Sequence, residues 1–316
     1  MNFAYHRLSR TSPKYRWWRP LVTGLIAGGF FLVFSLLASV LLIVLTFLDP
    51  TGIGADFEGL ITGGVIDSTI PAVLAFSLAS IALMLPSLWL ATLIMGPRPV
   101  GLLWSVTGRL RWRWMLRLVL PSLVAFGASF VLYLVVLPPL MGEPIPAPQV
   151  GPNLWLMLAI ILLLVPLQAT AEEYVFRGYL MQTIGGWLKH PAFAILLPVP
   201  LFMLGHLYDI WGLLDVGVFA IFAAWLTWRT GGLEAAIVAH VVNNSAIFIL
   251  GEFGLVDTNA TEGSLVGVLV TAATLAIYSW FVVRLVSKHS IHTSRTVVDV
   301  QPQTDREIVG SHSQLD

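Results

Sequence analysis

Four polar side chains in the second half of the sequence could together carry out hydrolysis at a carbonyl group. Glu172 could act as a general base on a water that His206 helps to hold. His240 and Asn244 could donate hydrogen bonds to the oxyanion that forms on the attacked carbonyl. Glu172, His206 and His240 could instead bind a divalent metal such as Zn²⁺, since this N/O ligand set leaves room for a water. Both routes, with and without a metal, end in hydrolysis.

A second acid, Glu173, follows Glu172 directly but has a different predicted partner. On a helix Glu173 stands one turn before Arg177, which is the favourable orientation for an i, i+4 ion pair. Glu172 points about 100° away around the helix and needs another partner. We expect that partner to be His206. The two lie equally far before and after Lys189, which is central in the turn between two antiparallel helices.

The segments that carry these residues have the composition of membrane helices. Hydrophobic residues make up 57% and charged residues 11% of the 316-residue chain, whose mean hydropathy is +0.84. A hydrocarbon core about 30 Å thick needs roughly 20 apolar residues per helix. The sequence therefore predicts an all-α polytopic membrane protein, a bundle of about eight transmembrane helices. The predicted spans are 20–48, 71–95, 115–138, 154–187, 191–208, 211–229, 232–250 and 264–286.

The charges indicate how this bundle lies in the membrane. All 17 Lys and Arg residues fall on one side of the alternating topology. That side should be cytoplasmic, so both termini are predicted to be cytoplasmic. His240 would then lie roughly 13 Å below the cytoplasmic surface, in that half of the bilayer. The opposite loops contain no Lys or Arg, and their charged residues are all acids: Asp49, Asp56, Glu58, Asp67, Glu143, Asp209, Glu252, Asp257 and Glu262.

Polar and Pro/Gly-rich segments divide the chain into five parts. The third part should carry the chemistry, and the last should be a disordered cytoplasmic tail because it is polar and has little periodicity. The parts are a basic N-terminal segment 1–19, three helices in 20–150, a catalytic core of four helices in 151–252, a loop and helix in 253–286, and the tail 287–316.

Composition also excludes several kinds of site. The chain has no cysteine, so it has no disulfide, no thiolate metal site and no catalytic thiol. Its net charge is zero and its basic residues follow one membrane face, which points to lipid headgroups rather than nucleic acid. Asp215 and Glu234 lie near predicted span ends and are expected to be interfacial. The glycine pair at 185–186 is expected to allow close packing rather than to bind phosphate.

Three motifs follow one another on separate predicted membrane helices. They are EExxxR (Glu172, Glu173, Arg177), FxxxH (Phe202, His206) and HxxxN (His240, Asn244). Their order and placement resemble the CPBP (CAAX protease and bacteriocin-processing, Abi-type) intramembrane endopeptidases. The resemblance covers about residues 154 to 250.

The resemblance implies a fold and catalytic roles. The fold would be a bundle of eight helices whose conical cavity opens toward the cytoplasm and the membrane. Glu172 and His206 would activate the water, and His240 with Asn244 would stabilise the oxyanion. The same roles emerge from the chemistry of the residue types above.

The resemblance also implies a supporting pair, a substrate class and a location. Glu173 and Arg177 would form the pair, and we expect Phe202 to pack behind His206. The substrate would be a peptide or a lipidated protein, since eukaryotic members trim prenylated CaaX proteins and bacterial relatives are linked to bacteriocin immunity and peptide maturation. A divalent metal and a metal-free mechanism are equally open. We expect the chain to lie in a bacterial plasma (inner) membrane.

Three other functions are compatible with the same residues. Two intramembrane histidines could ligate haem axially, although this leaves Glu172 and Asn244 without a role. Glu172 could be the proton or cation site of a coupled transporter. The polar cluster could also simply hold helices together in a non-proteolytic scaffold or immunity protein, since interhelical hydrogen bonds commonly do that.

Overall fold

Most of the chain folds into long apolar helices. The computed structural model describes residues 1–64 and 66–297, and within them seven helices are long and apolar enough to cross a membrane. This confirms the predicted all-α polytopic membrane fold. The helices are α1 Arg19–Leu48, α2 Pro71–Met95, α3 Trp112–Leu140, α4 Leu154–Trp187, the short α5 Pro191–Leu196 and α6 Val199–Met203, α7 Ile210–Thr230, α8 Glu234–Glu252 and α9 Leu265–Lys288.

The segment 191–208, predicted as the fifth span, is not one continuous helix. It forms α5 and α6, and residues 204–209 then continue without helix. Pro198 and Pro200 explain the interruption, because proline removes a backbone donor and clashes with the preceding turn. Even as one helix, Pro191–Met203 would rise only about 20 Å, which is less than the thickness of the hydrocarbon core. The expected count of eight full spans is therefore not met within the described residues.

Two long helices contain a wider, π-helical turn. In α4, which is 34 residues long, the turn Tyr174–Leu180 follows the α-helical part Leu154–Glu173 directly. In α3 the turn is Leu132–Val136. Such turns frequently occur at functional sites. The shorter elements are the helices Ile53–Asp56 and Glu58–Gly63 and the 3₁₀ helix Val100–Leu103.

Two short strands join the described ends of the chain. β1 Asn2–Ala4 pairs antiparallel with β2 Ser294–Thr296. The N-terminal ammonium also donates a hydrogen bond to the carbonyl of Val297 at 2.8 Å. The segment predicted as a disordered tail therefore begins with ordered structure, because backbone pairing with the N-terminus compensates for its polar composition. Residues 298–316 of that predicted tail lie outside the described residues.

The basic N-terminal segment packs against the end of α4. A 3₁₀ helix, Tyr5–Thr11, lies along Gly185 and Gly186, and Arg7 donates to the carbonyl of Gly185 at 3.1 Å. A Cβ atom on Gly185 would overlap the carbonyl oxygen of His6, so only glycine permits this approach. The structure thus agrees with the expectation that this glycine pair serves close packing.

The apolar core consists of three clusters. The largest joins α3, α7, α8 and α9, the second joins the N-terminal segment to α4, and the third joins α2, α4 and α8. Helix α1 contributes little to them, because its most apolar stretch has no buried residue, and it packs along the second half of α2. Apolar faces of this extent are compatible with lipid rather than water as the solvent.

A buried ion pair lies at the end of the bundle where the two described ends of the chain meet. Glu234 at the start of α8 is fully buried, and its carboxylate accepts from Nε and Nη2 of Arg111 at 2.8 and 2.7 Å. Arg111 also donates to the carbonyls of Thr230 and His292. The position of Glu234 near a span end predicted an interfacial side chain. This prediction is wrong, because the side chain is buried. Its charge is buried because a bidentate partner inside the protein replaces water.

The acidic loops meet at the opposite end of the bundle. Asn259 donates to Asp67 at 2.8 Å, which ties the loop before α2 to the loop between α8 and α9. Asp209 caps α7 and accepts from the backbone N–H groups of Gly212 and Gly263. These two donors lower the pKa of Asp209, so its carboxylate is ionised at neutral pH. Which end of the bundle faces the cytoplasm remains a prediction from the positions of the basic residues.

Replacing Gly185 by Ala should displace the N-terminal segment. Overpacking at such a contact costs about 1–3 kcal/mol of unfolding free energy. We expect a lower midpoint of thermal unfolding in detergent and faster proteolysis within residues 1–19. The control is Gly127→Ala in α3, where a Cβ would meet nothing within 4 Å, and its stability should be unchanged or slightly raised. Full protection of the N-terminal segment in Gly185→Ala would contradict this packing.

The orientation can be tested with single cysteines, since the chain has none. Lys14 and Glu143 are exposed at opposite ends of the bundle. In intact bacterial cells a membrane-impermeant maleimide should label Glu143→Cys, and should label Lys14→Cys only after permeabilisation. The reverse pattern would show that the acidic loops are cytoplasmic.

Candidate active site

Glu172 and Glu173 lie where α4 changes from α-helical to π-helical. The α-helical part ends at Glu173, and the π turn begins with Tyr174. Both acids face the interior of the bundle, since Glu173 is fully buried and Glu172 is 8% exposed. Two carboxylates at this depth need partners, and α8 packs along this part of α4.

His240 of α8 lies between the two carboxylates. Its Nδ1 is 2.8 Å from Oε1 of Glu173 and forms a hydrogen bond with it. Its Nε2 is 3.3 Å from Oε2 of Glu172, but the two are not aligned for a hydrogen bond. The expected contact between Glu172 and His206 is not found, as no hydrogen bond or ion pair joins them within the described residues. His240 takes that place because α8 packs directly on α4.

The protonation of His240 follows from the charge of its neighbours. Oε1 of Glu173 also accepts from Nη1 of Arg177 at 3.0 Å, as the i, i+4 spacing predicts. An ionised Glu173 can only accept, so Nδ1 of His240 must carry a proton. One further proton, on Nε2 or on Glu172, would make the two acids, the imidazole and the guanidinium electrically neutral together.

Aromatic rings enclose the guanidinium of Arg177. Its Cζ lies 4.2 Å from the centre of the Phe202 ring and 5.9 Å from that of Phe219. The Phe202 ring packs 5.0 Å from the ring of His206, and the Phe219 ring packs 5.0 Å from that of His240. Arginine tolerates such a site because its weakly hydrated guanidinium stacks on aromatic faces. The two rings therefore fix both histidines relative to the ion pair.

His206 lies in the non-helical segment between α6 and α7. Its Nδ1 is 2.9 Å from the carbonyl oxygen of Phe202. Because a carbonyl can only accept, Nδ1 carries the proton and Nε2 of a neutral ring is left to accept a hydrogen bond. The partly exposed ring could therefore hold a water in the cavity that it lines.

Asn244 lies one turn beyond His240 on α8 and contacts α4. Its Nδ2 donates to Oε1 of Gln168 at 3.3 Å, and its Oδ1 accepts from Asn243 at 3.1 Å. Gln168 stands one turn before Glu172, so α4 presents both side chains to α8. Gln168 was not among the predicted site residues, although its i, i+4 spacing from Glu172 is a signal that could have found it.

A cavity of about 190 Å³ borders the cluster. His206, His240 and Asn244 line it together with the rings of Phe202 and Phe219. It adjoins a larger cavity of about 520 Å³ between α3, α7, α8 and α9. A cavity on which a few polar groups converge is a common form of binding site.

The larger cavity leads toward the end of the bundle that carries the acidic loops. Val256, Asp257 and Glu262, from the loop between α8 and α9, line it. At the other end, the pair of Arg111 and Glu234 covers the start of α8. The resemblance implied a cavity open toward the cytoplasm and the membrane. With the predicted orientation, the larger cavity instead extends toward the opposite side, and the Arg111–Glu234 pair lies at the cytoplasmic end.

The predicted metal ligands do not converge in this arrangement. Within the part of the chain that the structure describes, no three His, Cys, Asp or Glu side chains are grouped so that they could hold a metal ion. Glu172 contacts His240, but among the described residues no hydrogen bond or ion pair joins His206 to either of them. The residues as they lie do not fit a metal centre. Metal-dependent hydrolysis stays a prediction, and the mechanism proposed for this site uses protein groups alone.

Comparison with known protein families identifies the same region. Residues 152–246 match the family described as type II CAAX prenyl endopeptidase, Rce1-like. Residues 152–246 form an Rce1-like domain. This confirms the family resemblance, and all the predicted site residues, from Glu172 to Asn244, lie inside the Rce1-like domain.

The comparisons with individual proteins do not assign a function. The chain is 28% identical over 174 residues to the "Uncharacterized protein YyaK" of Bacillus subtilis (strain 168). The match covers 51% of this chain and 55% of that protein, so the chain spans about half the length of the curated relative it matches. No solved structure gives a significant match. The roles of individual residues in the Rce1-like domain therefore have to be argued from their geometry.

The two neighbouring glutamates should respond differently to removal of charge. Glu173→Gln should lower the free energy of unfolding by about 3–5 kcal/mol, because Arg177 and the Nδ1 proton of His240 lose their buried counter-charge. Glu172→Gln should cost less than about 1 kcal/mol, because its Oε2 makes no hydrogen bond. Thermal or denaturant unfolding in detergent measures both. Equal losses would contradict the distinct roles of the two acids.

Proposed function

We propose that this protein is an intramembrane endopeptidase that hydrolyses peptide bonds of membrane-associated or lipidated peptides. The observation that carries the proposal is the position of His240, held between Glu172 and Glu173 at the wall of a cavity. The Rce1-like domain supports the reaction class, since that family is described as an endopeptidase. The long apolar helices support an integral membrane protein, and we propose a bacterial plasma membrane as its location.

Glu172 is the proposed general base. Its Oε2 has no hydrogen-bond partner among the described residues and can take a proton from a water. As the water oxygen bonds to the carbonyl carbon of the substrate, its proton moves to Glu172. The tetrahedral intermediate then breaks its C–N bond, and the proton passes from Glu172 to the leaving nitrogen. The products are a carboxylic acid and an amine, and Glu172 is ionised again.

Asn244 and His240 are the proposed donors to the oxyanion. Asn244 uses one N–H for Gln168 and has a second N–H left to donate. His240 can donate from Nε2 when the ring carries both protons. Its 3.3 Å contact with Glu172 is loose enough to be exchanged when Glu172 turns to the water. Loss of one oxyanion donor typically lowers kcat by about 10²–10³.

The remaining residues would position these groups. His206 would hold the attacking water through Nε2, because its Nδ1 is bound to the carbonyl of Phe202. Glu173 would keep His240 in the tautomer with a proton on Nδ1, and Arg177 would keep Glu173 ionised. A neutral or misplaced Glu173 would therefore act on the reaction through His240 rather than directly.

The substrate class follows from the surroundings of the site. The two cavities lie inside a bundle whose outer faces are apolar, so a substrate with an apolar anchor would be concentrated in the membrane beside them. A prenyl group or a membrane-spanning peptide segment could supply that anchor. A farnesylated CaaX peptide is one candidate, and we propose it on the basis of the family description alone.

Cleavage by the purified protein tests this function. Wild type in detergent should cleave members of a library of membrane peptides that includes a farnesylated CaaX peptide. Glu172→Gln should lower kcat by at least about 10², because an amide cannot accept the proton. The matched control is Glu143→Gln, an exposed acid outside both cavities, which should cleave like wild type.

The same assay with a chelator separates the two hydrolytic routes. Unchanged cleavage would support Glu172 acting without a metal, and loss of cleavage that is restored by Zn²⁺ would establish a metal. No product from folded wild type would overturn the proposed function. Counterflow uptake in proteoliposomes would then decide between a coupled transporter and a scaffold.

A further inference from the structure

Asp215 lies on the wall of both cavities, close to the proposed active site. It stands one turn before Phe219 on α7, and the ring of Phe219 packs 5.0 Å from that of His240. Asn243 and Thr271 also line both cavities, from α8 and α9. The path from the larger cavity to His240 therefore runs past the carboxylate of Asp215.

Asp215 has no cationic partner within residues 1–64 and 66–297. None of the ion pairs among these residues includes it, and its buried Oδ1 accepts no hydrogen bond. No Lys or Arg lines either cavity. Its position near a span end predicted an interfacial side chain, but α7 turns it toward the cavity instead. Asp215 is half-buried and lacks such a partner, whereas the fully buried acids Glu173 and Glu234 each have an arginine partner.

The surroundings of Asp215 favour a cation. A carboxylate at membrane depth without a counter-charge is costly, and such residues characteristically face cavities and pair with a ligand or with one another. Asp257 and Glu262 at the mouth of the larger cavity carry the same sign. Like charges along a cavity with low-dielectric walls attract cations and repel anions. A positively charged group that enters from this end would find its counter-charge at Asp215.

We propose that Asp215 binds a cationic group of the substrate, an ammonium or a guanidinium, while the scissile bond lies beside His240. This inference rests on the proposed function and adds a substrate class to it. Asp215 would be a specificity residue that selects apolar peptides with one basic side chain or a free N-terminus close to the cleaved bond. Such peptides would enter from the end of the bundle that carries the acidic loops.

The experiment measures binding, so it does not depend on catalysis. Fluorescent apolar peptides of about 20 residues carry either one arginine or, at the same position, citrulline, a neutral group of nearly the same shape. The position is moved along the peptide one residue at a time. For the best position, wild type in detergent should bind the arginine peptide about tenfold more tightly than the citrulline peptide.

Three variants assign this preference to Asp215. Asp215→Asn should reduce it to less than about twofold, since only the charge is removed. Asp215→Glu should retain most of it. Glu143→Gln, which removes an exposed acid at the same end of the bundle, should leave it unchanged. A preference that survives in Asp215→Asn, or that disappears equally in Glu143→Gln, would overturn the proposal.

Wild type alone can also overturn it. If wild type binds the arginine and citrulline peptides equally at every position, the cavity does not recognise a positive charge. This conclusion does not depend on the stability of the variants. In that case Asp215 is neutral or bonded to Thr271 and only structural. Cleavage without a binding preference would remove this inference and leave the proposed function intact. A binding preference without cleavage would do the opposite.

Discussion

The acid Glu173 has to be compensated inside the protein, because its side chain is fully buried between the membrane helices. Arg177 on the same helix and His240 on the neighbouring helix provide this compensation through a single carboxylate oxygen. The two contacts determine which face of α4 meets α8, and they leave Glu172 beside the other nitrogen of the imidazole. Glu173 thus holds Arg177 and His240 through one oxygen, and in the proposed mechanism Glu172, which makes only the 3.3 Å contact, is the acid left for proton transfer.

The same requirement explains how the ends of the bundle differ. At one end the second buried acid, Glu234, is compensated by Arg111, which also ties the loop before α3 to the segment after α9. The N-terminal 3₁₀ helix lies on the glycines at the end of α4, and the two strands hold both chain ends there. At the other end Asp67 and Asp209 accept hydrogen bonds from the loop between α8 and α9, and residues of that loop line the larger cavity. The end with the buried acid Glu234 thus contains its arginine partner Arg111, whereas no arginine among the described residues lines the cavity at the other end.

The short helices α5 and α6 also have a functional consequence. Since they are too short to cross the membrane, the chain returns toward the acidic loops as a non-helical segment, residues 204–209. Such a segment is tolerated only inside a protein or beside a cavity. His206 lies in it and is oriented by the carbonyl of Phe202 rather than by a helix. An imidazole in this position keeps one nitrogen directed away from the backbone, as a water-holding role requires.

The amino-acid sequence by itself determined the membrane class, the position of most helices and the candidate residues for the chemistry. These predictions rest on features that can be identified without knowledge of the packing. The features are hydropathy over about 20 residues, the i, i+4 spacing of side chains and the order of three motifs. The ion pair of Glu173 with Arg177 was predictable for this reason. Pro198 and Pro200 are a sequence signal for the break in the predicted fifth span, and the prediction from apolar composition did not include it.

Only the tertiary structure decided which side chains meet across helices. Equal distance from a turn suggested His206 as the partner of Glu172, whereas the packing of α8 on α4 brings His240 there instead. Position near a span end suggested an interfacial role for Asp215 and Glu234, yet one lines a cavity and the other is buried against Arg111. The physical reason is that such contacts depend on the rotation and depth of each helix relative to its neighbours. These are set by packing over the whole bundle, which no single segment of the sequence contains.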